Sequence, residues 1–315
     1  MYSHDSELNF KGLIFDSHTH VVDTESLDLM VKIEKQYGIS KAVLISHSPV
    51  AMSYAMEKYP DRFIYAKYFR GTVRFEEGVD YIVRELRTLR DEGYDLAKMQ
   101  SAPVMRGRVN AGKEDLRLDS DEMAPMFETM QEEDISFILH LSDPDTYYDT
   151  RYNGKSPYST KERDLAELEG VLKRYPKMKF QIAHFAAQPE IHRLDNLSRW
   201  LDSYSNFNLD TSSARWMVRE LGKNPDKARA FFTKYQDRIQ FGTDCVAFTD
   251  EENYYSGRHS SLRMLLETDV RGIPLPFPDA DTEAIGGTFI NGLELEESVL
   301  QKIYWDNGAK FHHLE

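Results

Sequence analysis

Apolar and polar positions along this chain fall into two alternating regimes. Short, mostly apolar runs bounded by turn residues read as strands. The stretches between them carry apolar residues every three to four positions, as one helix face does. The first run, Gly12-Leu-Ile-Phe-Asp-Ser-His-Thr-His20, leads into a helical face over Ser26–Tyr37 built from Leu27, Leu29, Met30, Ile33 and Tyr37. Lys41–His47 is the second strand, and Pro60 ends the short helix Val50–Tyr59 after it. Arg62–Phe69 is the third, followed by a face of Val79, Ile82, Val83, Leu86 and Leu89. Gly93 stops that helix before a fourth strand, Asp95–Met99. Met123, Met126, Phe127 and Met130 then fall in helical phase, with Asp119 three residues before Glu122 as the expected cap.

The alternation continues through Ile135–His140 (strand five) and a long segment, 141–160, rich in tyrosine. Ser159 and Glu162 form a capping-box pattern for a helix reaching Tyr175. Lys179–His184, Phe207–Asp210 and Arg238–Asp244 are strands six to eight, separated by helices over Glu190–Tyr204 and Ala214–Phe232. A long insertion, Cys245–Gly292, precedes a last helix, Leu295–Phe311. Strands alternating with helices imply right-handed parallel βαβ units, and eight of them close into a (β/α)8 TIM barrel. An open doubly wound sheet is the competitor, but no Gly-rich phosphate turn follows strand one. The expectation is one domain, residues 1–315, with long loops after strands five and eight.

Composition narrows the class. Of 315 residues 41% are hydrophobic, enough for a large core, and no apolar run is long enough to span a bilayer. The first residues lack the basic and apolar regions of a signal peptide, and the lone Cys245 rules out an internal disulfide framework; a cytoplasmic protein is expected. A net charge of −14 disfavours nucleic acid as a partner, and a small molecule is expected instead. Nothing in the chain excludes a homo-oligomer.

The chemistry gathers at strand ends. His18 and His20 lie one residue apart, so a strand aims both imidazoles to one side, and Asp16 shares their parity. In a barrel the C-terminal strand mouths build the active site. Those mouths hold His18 and His20, then His47, Lys98, His140, His184, Asp210 and Asp244. Buried polar groups need partners, and so many of them at one rim point to a metal rather than to core packing.

Phe-Asp16-Ser-His18-Thr-His20, Leu-His140, Ala-His184-Phe and Phe-Gly-Thr-Asp244 together resemble the amidohydrolase superfamily, specifically its amidohydrolase-related (amidohydrolase 2) branch. The closing segment Ile303-Tyr-Trp-Asp-Asn-Gly-Ala-Lys310 is similar to that branch's last helix, so the likeness runs from about residue 12 to 312. It implies that His18, His20, His140 and Asp244 bind one divalent metal and that His184 is a catalytic group beside it. Zinc suits this set, and manganese or iron is accepted. Asp244 would then move the proton of an attacking water while His184 stabilises charge on the substrate oxygen. In some subtypes a strand-four lysine is carboxylated and bridges two metals; Lys98 fits that place loosely, and its other reading is to steer a substrate anion.

Tyr148 and the arginines 106, 108, 151 and 258 are candidates for an anionic substrate. Asp16 is expected to orient the site, Cys245 to pack toward the helices, and His4, His192, His312 and His313 to be inert. The leading expected activity is hydrolysis of a small amide, lactone or ester. The alternative is non-oxidative decarboxylation of a small aromatic or unsaturated acid, which occurs in the same branch.

Overall fold

The computed structural model describes residues 2–106, 116–153 and 158–314. Eight strands alternate with helices: β1 (Ile14–Val21), β2 (Ile39–Ser46), β3 (Phe63–Arg70), β4 (Leu96–Gln100), β5 (Phe137–His140), β6 (Phe180–Ile182), β7 (Phe207–Asp210) and β8 (Ile239–Gln240). A short β9 (Cys245–Ala247) follows β8. The pairs β1–β2, β3–β4, β4–β5, β5–β6 and β7–β8 are all parallel. This is the (β/α)8 TIM-barrel fold that the alternation implied. No helix among the described residues is long and apolar enough to cross a membrane.

Contacts group the chain into two compact units, Met1–Ile64 with Pro189–Leu194 and Leu209–Glu315, and Tyr65–Gln188 with Asp195–Asn208. In the first, β1 is buried along its whole length. One face carries Phe15, edge-on to Trp305 at 6.4 Å, and Thr19, whose hydroxyl donates to Val43 O at 2.7 Å. Asp16, His18 and His20 occupy the opposite face, as strand parity requires. The backbone after β8 bonds to β1, Ser17 N donating to Phe241 O and Asp244 N to His18 O, both at 2.8 Å. In the second unit β3, β4, β5 and β6 pair in sequence order, with Gln100 level with His140.

Several elements differ from their sequence patterns. Strand eight was expected to run unbroken to Asp244; instead it ends at Gln240, Asp244 takes a left-handed conformation (φ 58°), and a separate short strand, β9, pairs with β1. Strand six ends at Ile182 because His184, Phe185, Ala186 and Ala187 all have φ between 53° and 58°. The segment expected as one helix over Ala214–Phe232 is two, Ala214–Leu221 and Pro225–Lys234. Asn224 accepts from Lys227 N at 3.1 Å, and Pro225 opens the second helix. Two caps shift by one residue: Thr160, not Ser159, accepts from Arg163 N, and Ser120 stands at the cap expected of Asp119.

The insertion after strand eight contains a 16-residue helix, Glu252–Glu267. Its buried residues include Ser256, Gly257, His259, Ser260 and Ser261, and these small polar groups hide the apolar period that would have announced it. Further on, the loop is anchored rather than open. The Arg219 guanidinium, buried, donates to both Asp279 oxygens at 2.9 and 2.8 Å, to Asp281 at 3.1 Å and to Glu220 at 2.8 Å. Removing one partner of a buried ion pair strands the other charge. Asp279→Ala is therefore expected to cost about 3 kcal/mol in urea unfolding, near the low end of the range because Asp281 and Glu220 remain. A change below the error of the measurement would show that the anchor carries no stability.

Candidate metal centre

In the first unit, three side chains meet. His18 Nε2 lies 3.2 Å from His20 Nε2, and Asp244 Oδ1 lies 3.2 Å from His20 Nε2 and 3.6 Å from His18 Nε2. These edges match a tetrahedral site, because ligand bonds of about 2.0–2.1 Å place neighbouring ligand atoms roughly 3.3 Å apart. His18, His20 and Asp244 form a group able to hold a metal ion among the described residues.

The tautomers suit that role. A carboxylate can only accept, so Asp210 Oδ2, 2.9 Å from His18 Nδ1, fixes the proton there and leaves the Nε2 lone pair facing the group. His20 Nδ1 lies 2.8 Å from His47 Nε2, and with the proton on Nδ1 its Nε2 also presents a lone pair. Two lone pairs and a carboxylate oxygen then converge, an arrangement that a shared cation satisfies. Burial holds His20 down to about 3, so its ring is neutral, as a ligand must be.

Local folding explains the placement. Asp16 accepts from His18 N and Thr243 N at 3.1 Å and from the Thr243 hydroxyl at 2.6 Å, tying β1 to the turn that carries Asp244. Burial pushes the Asp16 carboxyl well up. The same turn contains Gly242, where a Cβ would lie 3.0 Å from the His18 Cβ, so the close approach leaves little room for a side chain. Asp210 is held in turn by Ser212, whose backbone N–H and hydroxyl both donate to its other oxygen. Asp210→Asn is expected to weaken metal binding about 10–100-fold, the usual effect of losing a histidine's carboxylate partner. Chelator competition measures it, and unchanged affinity would remove Asp210 from the site.

The second unit holds His140 and His184, with ring centroids 4.3 Å apart and planes at 83°. His140 Nε2 donates to Asp143 Oδ1 at 3.1 Å, which leaves the lone pair on Nδ1. Tyr152, buried, donates to the other Asp143 oxygen at 2.6 Å. His184 begins the run of four left-handed residues, none of them glycine. Such a conformation costs roughly 1–2 kcal/mol per residue and persists where the surroundings over-determine it, often at functional sites.

Lys98 is fully buried within β4, two residues before the position level with His140. The Tyr148 hydroxyl donates to Asp164 and lies 2.9 Å from the Ser142 hydroxyl, and burial pushes its ionisation far up. Arg151, exposed, stacks over Tyr147 at 3.9 Å, and Arg258 stacks over Tyr254 at 3.7 Å while donating to Tyr254 O. Arg106 ends the short helix Pro103–Arg106, and Arg108 lies outside the described residues. Cys245 is buried with Sγ 3.9 Å from His259 Nε2, toward a helix as its parity suggested. His312, expected to be inert at the surface, packs its ring 5.3 Å from Phe15.

Asp143, Tyr152 and Lys161 were not singled out from the sequence. The signal for Asp143 is its place three residues after a strand-ending histidine. Lys161, in the first turn of a helix, carries none and reads as a solvated charge.

A family model described as amidohydrolase matches residues 54–314, and the chain belongs to that family. The matched span contains His140, His184 and Asp244 and begins after His18 and His20. Solved structures share the fold. A 5-carboxyvanillate decarboxylase from Sphingomonas paucimobilis aligns with TM-score 0.56 and 11% identity, over 96% of this chain and 99% of that one. Another, from Novosphingobium aromaticivorans, was solved with manganese and 4-hydroxy-3-methoxy-5-nitrobenzoic acid. It aligns with TM-score 0.56 and 14% identity, over 97% and 98%. A structure described as amidohydrolase II aligns with TM-score 0.56 and 14% identity, over 95% and 99%. A search of curated protein sequences finds no match.

Proposed function

We propose that this protein is a cytoplasmic metal-dependent hydrolase of a small carbonyl compound, an amide, lactone or ester. The observation that carries the reading is the convergence of His18 Nε2, His20 Nε2 and Asp244 Oδ1 at 3.2–3.6 Å. These three would hold one divalent ion, and His140, with its lone pair on Nδ1, would be the fourth ligand. Zinc suits three imidazoles and a carboxylate best; manganese and iron fit the same donors. When bound, the ion supplies Lewis acidity, which lowers the pKa of water and polarises a carbonyl. The Asp244 side chain, 33% exposed, takes the proton of the attacking water and returns it to the leaving group. His184 stabilises charge on the substrate oxygen. Lys98, Arg106, Arg108, Tyr148 and Arg151 are the groups from which recognition of an anionic substrate would draw.

A second reading, decarboxylation of a small aromatic or unsaturated acid, is favoured by one observation. Two structural relatives are 5-carboxyvanillate decarboxylases, one of them holding manganese beside an aromatic acid. In that reaction Asp244 or His184 would deliver a proton to carbon in place of an oxygen or nitrogen. Metal analysis of the purified protein, followed by a substrate panel that scores CO2 release separately from hydrolysis, separates the two. CO2 release without any hydrolysis would overturn the leading reading, and a protein that retains no divalent metal would overturn both.

A further inference from the structure

Lys161 is the first residue of the helix Lys161–Arg174, and its side chain is only 3% exposed. Its ammonium donates to two backbone carbonyls, Asp143 O and Ala187 O, with the Asp145 carboxylate 3.7 Å away. This is a costly place for a cation. The helix N-terminus already carries positive partial charge, and a buried ammonium gives up its hydration. What it joins is specific. Asp143 follows β5 and holds His140 through its carboxylate; Ala187 closes the left-handed turn that begins at His184. One buried charge therefore ties the segment that orients one histidine to the segment that presents the other. The left-handed turn has its own bracing, Ala187 N donating to His184 O at 2.8 Å and Gln188 N to Phe185 O at 2.9 Å. The ammonium on Ala187 O adds a bond that a chain in another conformation could not accept.

We propose that Lys161 is a positioning residue that holds His140 and His184 in the edge-to-face placement their chemistry uses. It touches neither ring and acts through the two backbone segments. The functional meaning rests on the reading of His140 as ligand and His184 as catalytic group, whereas the positioning itself does not.

The test compares Lys161→Met, which keeps length and loses charge and donors, with Lys161→Arg, which keeps both. The metal-free proteins are labelled with 15N-histidine, and ring signals of His140 and His184 are assigned with His140→Gln and His184→Gln. His259, buried in the other unit, serves as the internal control for an intact fold. Lys161→Met is expected to shift or broaden both ring signals and leave His259 in place, with zinc affinity falling at least tenfold by chelator competition. Lys161→Arg is expected to restore part of each change. If the His259 signal is also lost, Lys161→Gln, which retains an amide donor, is read by the same two measures. Superimposable His140 and His184 signals with unchanged zinc affinity in a folded Met or Gln variant would overturn the proposal. Shifted rings in a protein that binds no metal even as wild type would support the positioning role and sink the metal reading instead.

Discussion

Asp244→Ala is expected to abolish metal retention and turnover together. The carboxylate supplies one of three converging donor atoms, and in the proposed reaction it also moves the proton of the attacking water. Loss of a ligand should exceed the roughly 10–100-fold cost of losing an outer partner such as Asp210. The measurements are metal stoichiometry after dialysis and the rise in melting temperature on adding zinc. A ligand that binds only the folded state stabilises it by mass action, so the wild type gains and the variant does not. His140→Ala asks whether strand five supplies the fourth ligand. Equal metal affinity in wild type and His140→Ala would confine the site to β1 and the turn after β8. Full activity in Asp244→Ala would end the metal-centred account.

The second large effect is expected of His184→Ala. This variant should keep its metal and lose about 10²–10³ in kcat, the usual worth of a donor that stabilises charge on the substrate oxygen. Backbone bonds and Lys161 hold the left-handed turn, so an alanine there leaves the turn's bracing in place. Metal content and kcat measured on one preparation separate rate from retention. A fully active variant would show that the ring next to His140 takes no part in the chemistry, and loss of the metal would make it a ligand.

The barrel was legible because strands and helices here differ in period, and the convergence of His18, His20 and Asp244 because strand ends carry the polar exceptions. His18 and His20 face one way by parity alone, and Asp16 ties β1 to the neighbouring turn as its shared parity suggested. The Glu252–Glu267 helix escaped because serine, glycine and histidine fill buried positions at Ser256, Gly257, His259, Ser260 and Ser261. The break in the Ala214–Phe232 pattern was available in Asn224-Pro225, a cap followed by a residue suited to a first helical turn. Tyr148 was a candidate by its place after strand five, but its bond to Asp164 and that of Tyr152 to Asp143 could not be read from the sequence. Hydroxyl partners far along the chain leave no periodic trace.

By itself the amino-acid order determined the succession of parallel strands, the eight-fold barrel and the strand ends at which the histidines stand, because these follow from local periods and side-chain parity. The tertiary structure alone decided the rest. It brought Asp210 and His47 to the far nitrogens of His18 and His20, turned Asp244 left-handed toward them, and buried Lys161 between Asp143 and Ala187. Each of these depends on a hydrogen bond between groups distant in sequence. Such a bond forms only after the strands have docked, so no pattern along the chain encodes it.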